Sequence, residues 1–299
     1  MTHHHREIEP GNLDRRLWAS AALNLGIALV EIIGGLWAGS LALLADAAHN
    51  LADVGALGLA IFARRLGRRA PTPRHTYGLK RAEVVAALLN AAVLIAISAL
   101  IGREAVARLF HPEPVRSSVM LVAAAAAFLA NVGSVLLLRA HSAEDINVRS
   151  AFLHLAQDAL ASLAVVVAAL FARTAAGRYV DPAVAILIGV VVLRSAISIV
   201  SESLGTLLEA SPAGVNVEDL AQDVARRFTD VRLHHVHAWE VGPGQRVLTA
   251  HMKVGATTLL EAIAAEVRRF LHEEWGITHA TLEAETNGCG REELLGDWK

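Results

Sequence analysis

Six apolar stretches, each long enough to cross a bilayer, set the terms on which this chain folds. They run over about residues 17–37, 41–63, 82–108, 118–139, 151–172 and 183–203. About 20 apolar residues in a helix span the hydrocarbon core. No water reaches the backbone there, so each stretch must satisfy its own amides as a helix. Polar breaks separate the stretches. Gly39-Ser40 turns the first two into a tight hairpin, and Arg64 to Arg81, with Pro71 and Pro73, divides the second from the third. His111-Pro112-Glu113-Pro114 divides the third from the fourth, Arg139 to Arg149 is a short polar link, and Ala175 to Pro182 is the last turn. Hydrophobic residues make up 54% of the 299, which few soluble chains of this length approach. The first 16 residues are polar and the first apolar stretch is too long for a signal peptide, so no cleavable leader is expected.

Basic residues set the expected orientation. Arg6, Arg15, Arg16, Arg64, Arg65, Arg68, Arg69, Arg74, Lys80, Arg81, Arg139 and Arg149 fall on one side, against Arg108, Arg116, Arg173 and Arg178 on the other. Both termini are therefore expected in the cytoplasm, and the chain in the inner cell membrane as a multi-pass protein. The expected divisions are a cytoplasmic N-terminal segment (1–16), a six-helix transmembrane domain (17–205), a cytoplasmic domain (206–290) and a tail (291–299). After Pro212 the pattern turns mixed and charged. Glu218 to Phe228 and Leu259 to Trp275 read as amphipathic helices. Leu233 to Val241, Val247 to Val254 and Thr278 to Glu285 read as strands, the first two joined at Gly242-Pro243-Gly244. The order αββαβ predicts a small α+β, ferredoxin-like domain. A net charge of −2 gives no sign of nucleic-acid binding, and Cys289, the one cysteine, excludes an internal disulfide.

The ionisable residues inside the apolar stretches carry the chemistry, because each is expensive there. The second helix holds His49 and Asp53, the fifth His154 and Asp158; both pairs read H-x-x-x-D. Positions i and i+4 share a helix face, so each helix presents one imidazole and one carboxylate together. One such pair alone is well explained as an intrahelical hydrogen bond. Two identical pairs near mid-membrane point to convergence on a metal, and two nitrogen and two oxygen ligands suit tetrahedral zinc. Two carboxylates balance a divalent cation, and without metal they need protons, so metal and protons compete. Four protein ligands leave no open position, and no H-E-x-x-H occurs, so carriage is favoured over catalysis and the chain is not read as an enzyme. Asp46, one turn before His49, is read either as positioning a ligand or as part of the ion path, with the positioning role preferred. Asn24, Glu31, Asn50, Asn90, Asn131 and Gln157 are expected to bond between helices. No role is evident for Arg194.

The run GSLALLADAAHNLAD at 39–53 resembles the second-helix signature of the cation diffusion facilitator family, and RHTYGLKRAEVVAALLNA at 74–91 its approach to the third helix. HLAQD at 154–158 is similar to its fifth-helix metal motif; HHVHAW at 234–239 and ITHATLEAE at 277–285 resemble its cytoplasmic domain. The resemblance implies a homodimeric zinc exporter with six membrane helices and a metallochaperone-like domain, exchanging metal for protons by alternating access. It assigns His49, Asp53, His154 and Asp158 as transport ligands. Histidine at the first position of the helix-2 pair marks zinc-selective members, some of which also take cadmium. Zinc is then the substrate, with a possible structural or regulatory ion besides, and the partners are protons, the lipid bilayer and a second copy of the chain.

Further candidates lie in the cytoplasmic part. With a turn centred on Gly244, His237 and His251 are expected to face one another across the strands, close enough to share a metal with Glu285. His279 also matches a family ligand position. Six residues separate it from Glu285, about 20 Å along a strand, so it belongs to a separate or dimer-interface site. His234 and His235 are weaker candidates. His75 matches a metal position of part of the family but lacks the usual partners. His3-His4-His5 are read either as a tag remnant or as ligands reaching a neighbouring subunit. The link with His141, Glu144 and Asp145 lacks the histidine-rich insert of many eukaryotic relatives, and Cys289 has no cysteine partner. Two other readings stay open: a zinc-sensing membrane protein without transport, and a carrier for cadmium or another divalent metal. An intramembrane metalloenzyme would need a vacant coordination position.

Overall fold

The computed structural model describes residues 10–139, 146–174, 177–255, 260–286 and 293–295. His3, His4, His5, His141, Glu144, Asp145 and Cys289 lie outside them. Six long helices come first: α1 (Pro10–Ala38), α2 (Leu41–Gly67), α3 (Ala82–Phe110), α4 (Ser117–Arg139), α5 (Ile146–Phe171) and α6 (Gly177–Leu207). Over the described residues, α3, α4, α5 and α6 are long and apolar enough to cross a membrane, and α1 contributes a shorter apolar run, Ala22–Ala38. Helix α2 has the length but is interrupted by Asp46, His49, Asn50 and Asp53.

The α1–α2 hairpin shows how sequence fixes these helices. Gly39 has φ 71°, a left-handed conformation that glycine adopts without a Cβ clash. Ser40 follows as the cap of α2, its Oγ accepting from the Leu43 amide at 3.1 Å. Asp181 of α6 completes the cap. Its carboxylate accepts from the Ser40 hydroxyl at 2.5 Å and from the Leu41 and Ala42 amides at 2.8 and 3.3 Å. A buried negative charge is thus placed at a helix N-terminus, where free amides and the helix dipole favour it. The expected turn from Ala175 to Pro182 is shorter than predicted, because α6 begins at Gly177 and runs through Pro182. The donor that this proline lacks would have served the Arg178 carbonyl, in the first turn, so the helix survives. Between α1 and α4 the approach is close: a Cβ on Gly34 would sit 2.5 Å from that of Ala123. Small residues at such contacts let membrane helices pack.

Of the described residues, those in Met1–Leu59 and Leu89–Ser198 form one compact unit and those in Ala60–Leu88 and Ile199–Lys299 another. Within the second, Arg81 pairs with Glu209 at 2.9 Å, and Gly242 lies against Lys80. The remaining elements are α7 (Val217–Arg227), β1 (Val231–Glu240), β2 (Arg246–Val254), α8 (Leu260–Trp275) and β3 (Ile277–Glu285), in the αββαβ order expected. The sheet order is β1-β2-β3, with β1 and β2 antiparallel and β2 and β3 parallel. Asn216 caps α7 by accepting from the Asp219 amide, and acidic residues fill its first turn, basic ones its last. Leu220 and Val224 of α7 and Val267 and Leu271 of α8 bury one sheet face with Val231, Leu233, Val236, Leu248 and Met252.

One irregularity in β1 matters for the chemistry. Pairing runs Val231↔Val254 to His234↔His251, then resumes at His237↔Thr249. Between them, His235 and Val236 together oppose Ala250, a β-bulge, and His235 takes φ 47°. The expected facing of His237 and His251 is therefore wrong. The turn centres on Pro243, since Glu240 pairs with Arg246, and the bulge then shifts the register by one more residue. The bulge keeps Val231 and Leu233 on one side of it, and Val236 and Ala238 on the other, all in the same core.

Candidate metal centre

Helices α2 and α5 bring the two H-x-x-x-D pairs together. His49 Nε2 lies 3.4 Å from Asp158 Oδ1 and 3.8 Å from Asp53 Oδ2. His154 Nε2 lies 3.3 Å from Asp53 Oδ2 and 3.8 Å from Asp158 Oδ2. Each imidazole thus faces one carboxylate of its own helix and one of the other. Ligand atoms about 2.0–2.2 Å from a tetrahedral zinc stand about 3.3–3.6 Å apart; those of His49, Asp53 and Asp158 all lie within 4.8 Å of one another, and His154 approaches this group through the two carboxylates. Both Asp158 oxygens and Asp53 Oδ2 are buried without a hydrogen-bond donor. Acceptors aimed at one point with no donor are what a cation requires. Exposure falls from 44% at the His154 side chain through 27% at Asp53 and 25% at His49 to 1% at Asp158, so the ring opens on one side.

Behind the ring lies a polar network. Asn50 donates to Glu31 Oε2 at 2.8 Å, Ser162 to Asp46 Oδ2 at 2.9 Å, and Asn131 to Ser162 at 3.1 Å. Asp46 was expected to position a ligand, yet no described hydrogen bond joins it to the ring. Arg194 is exposed, and nothing in the structure explains it.

Comparison with known proteins bears on what such a ring serves. The family profile described as the cation efflux transmembrane domain matches residues 17–208. The chain belongs to the cation diffusion facilitator family. It is 40% identical to the zinc transporter ZitB of Pectobacterium atrosepticum, over 97% of this chain and 90% of that protein. It is 38% identical to the zinc transporter ZitB of Escherichia coli, over 97% and 94%. A third relative, 31% identical over 96% and 92%, is the cadmium, cobalt and zinc/H(+)-K(+) antiporter of Bacillus velezensis. This cation diffusion facilitator protein is thus a multi-pass membrane protein with a small C-terminal three-stranded sheet.

That sheet carries a second cluster in this family member. His251 Nδ1 lies 2.6 Å from Glu285 Oε1, and His234 Nε2 lies 3.4 Å from Glu285 Oε2. Ligand atoms of His234, His251 and Glu285 all fall within 4.8 Å of one another. The His235 ring is 5.4 Å from that of His234 and 5.0 Å from that of His251, and Glu283 reaches His251 at 3.7 Å. Two of the expected residues are here, but His234 takes the place given to His237, which pairs with Thr249. The run His234-His235 was the signal in the sequence; the bulge that selects between its members was not readable. His279 pairs with Val247, and β3 runs unbroken to Glu285, so His279 stands apart from the cluster. His75 is exposed in a turn bridged to Thr72 and joins no described ligand group.

Proposed function

We propose that the chain is a zinc exporter of the inner membrane, exchanging zinc for protons by alternating access through His49, Asp53, His154 and Asp158. The observation that carries this is the ring of two imidazoles and two carboxylates on α2 and α5, spaced at 3.3–3.8 Å with its carboxylate oxygens short of donors. The zinc transporters among its relatives support the choice of metal, and the relative named as an antiporter supports the coupling. We read α1 to α6 as six membrane spans with both termini cytoplasmic, and the C-terminal part, over 206–290, as a ferredoxin-like domain within a homodimer. The cluster of His234, His251 and Glu285 then holds a second metal ion, structural or regulatory. Four protein ligands at the membrane site leave no coordination position for catalysis, so the site carries its ion unchanged.

The test is zinc uptake into proteoliposomes under an imposed pH gradient. Wild type accumulates zinc, and Asp158→Ala does not while still eluting as a folded protein in detergent. Zinc binding without uptake would replace the transporter with a zinc sensor. Uptake of cadmium in preference to zinc would reassign the cargo.

A further inference from the structure

The network behind the ring is short of hydrogen. Glu31 and Asp46 are 0% and 1% exposed, and they are neighbours across α1 and α2, since Asn50, which donates to Glu31 at 2.8 Å, lies one turn beyond Asp46. Each receives one neutral donor, from Asn50 and Ser162 respectively. Glu31 Oε1 and Asp46 Oδ1 receive none. The neutral amides repeat the pattern: Asn50 and Asn131, each 1% exposed, leave Oδ1 without a donor. Every unsatisfied atom in this network is therefore an acceptor. No described ion pair reaches Glu31 or Asp46. The titratable groups that act on them are His49 on α2 and Asp158 on α5, and α4 contributes the neutral Asn131 through Ser162.

Two neighbouring carboxylates in an apolar interior cannot both stay ionised without a counter-charge. We infer that Glu31 and Asp46 form a proton-binding site separate from the four metal ligands, an acid–carboxylate pair sharing one proton while the metal site is empty. Binding of a divalent cation at the ring supplies the counter-charge. The shared O–H bond then breaks, the proton leaves to solvent, and the pair goes from one negative charge to two. This inference rests on the transport reading, deepening it by placing a coupled proton outside the coordination shell.

The experiment counts protons released per zinc bound by the detergent-solubilised full chain in weak buffer with a pH indicator. Glu31→Gln should bind the same number of zinc ions and release about one proton fewer per ion, since one exchangeable site is gone. Equal release from Glu31→Gln and wild type overturns the inference. A second reading does not depend on that variant folding. In Asp53→Asn/Asp158→Asn, which keeps both network acids, the infrared spectrum near neutral pH should retain the C=O stretch of a buried protonated carboxyl. Its absence likewise overturns the inference. Failure of the transport reading would show differently, as proton release by wild type without zinc uptake in proteoliposomes.

Discussion

In the proposed transport site, His49 is the residue at which ligand chemistry and metal choice meet. Its imidazole faces Asp53 and Asp158 at 3.8 and 3.4 Å. Replacing it with aspartate would give a set of one nitrogen and three oxygen ligands, which favours harder cations. His49→Asp is predicted to keep transport while the preference for zinc over manganese narrows by about 10–100-fold, the range that changes around a metal site produce. Competitive uptake in proteoliposomes measures it, and an unchanged ratio would remove His49 from the selectivity argument. At this scale the ring was readable, because helical periodicity places i and i+4 on one face whatever surrounds the helix. The Glu31–Asp46 pairing was not, since it joins two helices whose relative rotation no single-helix period specifies.

Among the elements, α2 depends on a cap that another helix supplies. Asp181→Asn keeps the shape but removes the charge from three hydrogen bonds at the α2 N-terminus. The loss is predicted at about 1–2 kcal/mol, seen as a lower melting temperature in detergent with zinc stoichiometry unchanged. The strand β1 makes a second case. Deleting His235 would remove the bulge and force one regular register. Pairing would then run evenly, with Val231, Leu233, Val236 and Ala238 all still facing the core, so the domain is predicted to stay folded. Proteolysis of the C-terminal unit should stay close to the wild-type rate, and a sharp acceleration would show that the bulge itself is needed for stability. Strand alternation in the sequence located β1 well, since its apolar residues are plain on either side of the bulge. The bulge itself escaped, because one extra residue alters no composition and appears only when β2 fixes the partners.

For the molecule as a whole, two candidate metal clusters sit in two units. His251→Ala removes the residue closest to Glu285, while the ring on α2 and α5 is untouched. Zinc bound per chain should fall by about one, and ring-dependent uptake should persist, if the second cluster is a metal site of its own. Unchanged stoichiometry by elemental analysis would leave that cluster as a hydrogen-bonded histidine group. The sequence alone determined the number and approximate positions of the long helices, the αββαβ order and the placing of one imidazole and one carboxylate on a shared face of α2 and of α5. All of these follow from local periodicity, the length of a bilayer span and the energy of charge in an apolar medium. Tertiary structure decided the rest: that His234 and not His237 meets His251, that Asp181 caps a distant helix, and that Glu31 neighbours Asp46. Each of those depends on register or rotation between elements, which packing selects and which no local pattern along the chain encodes.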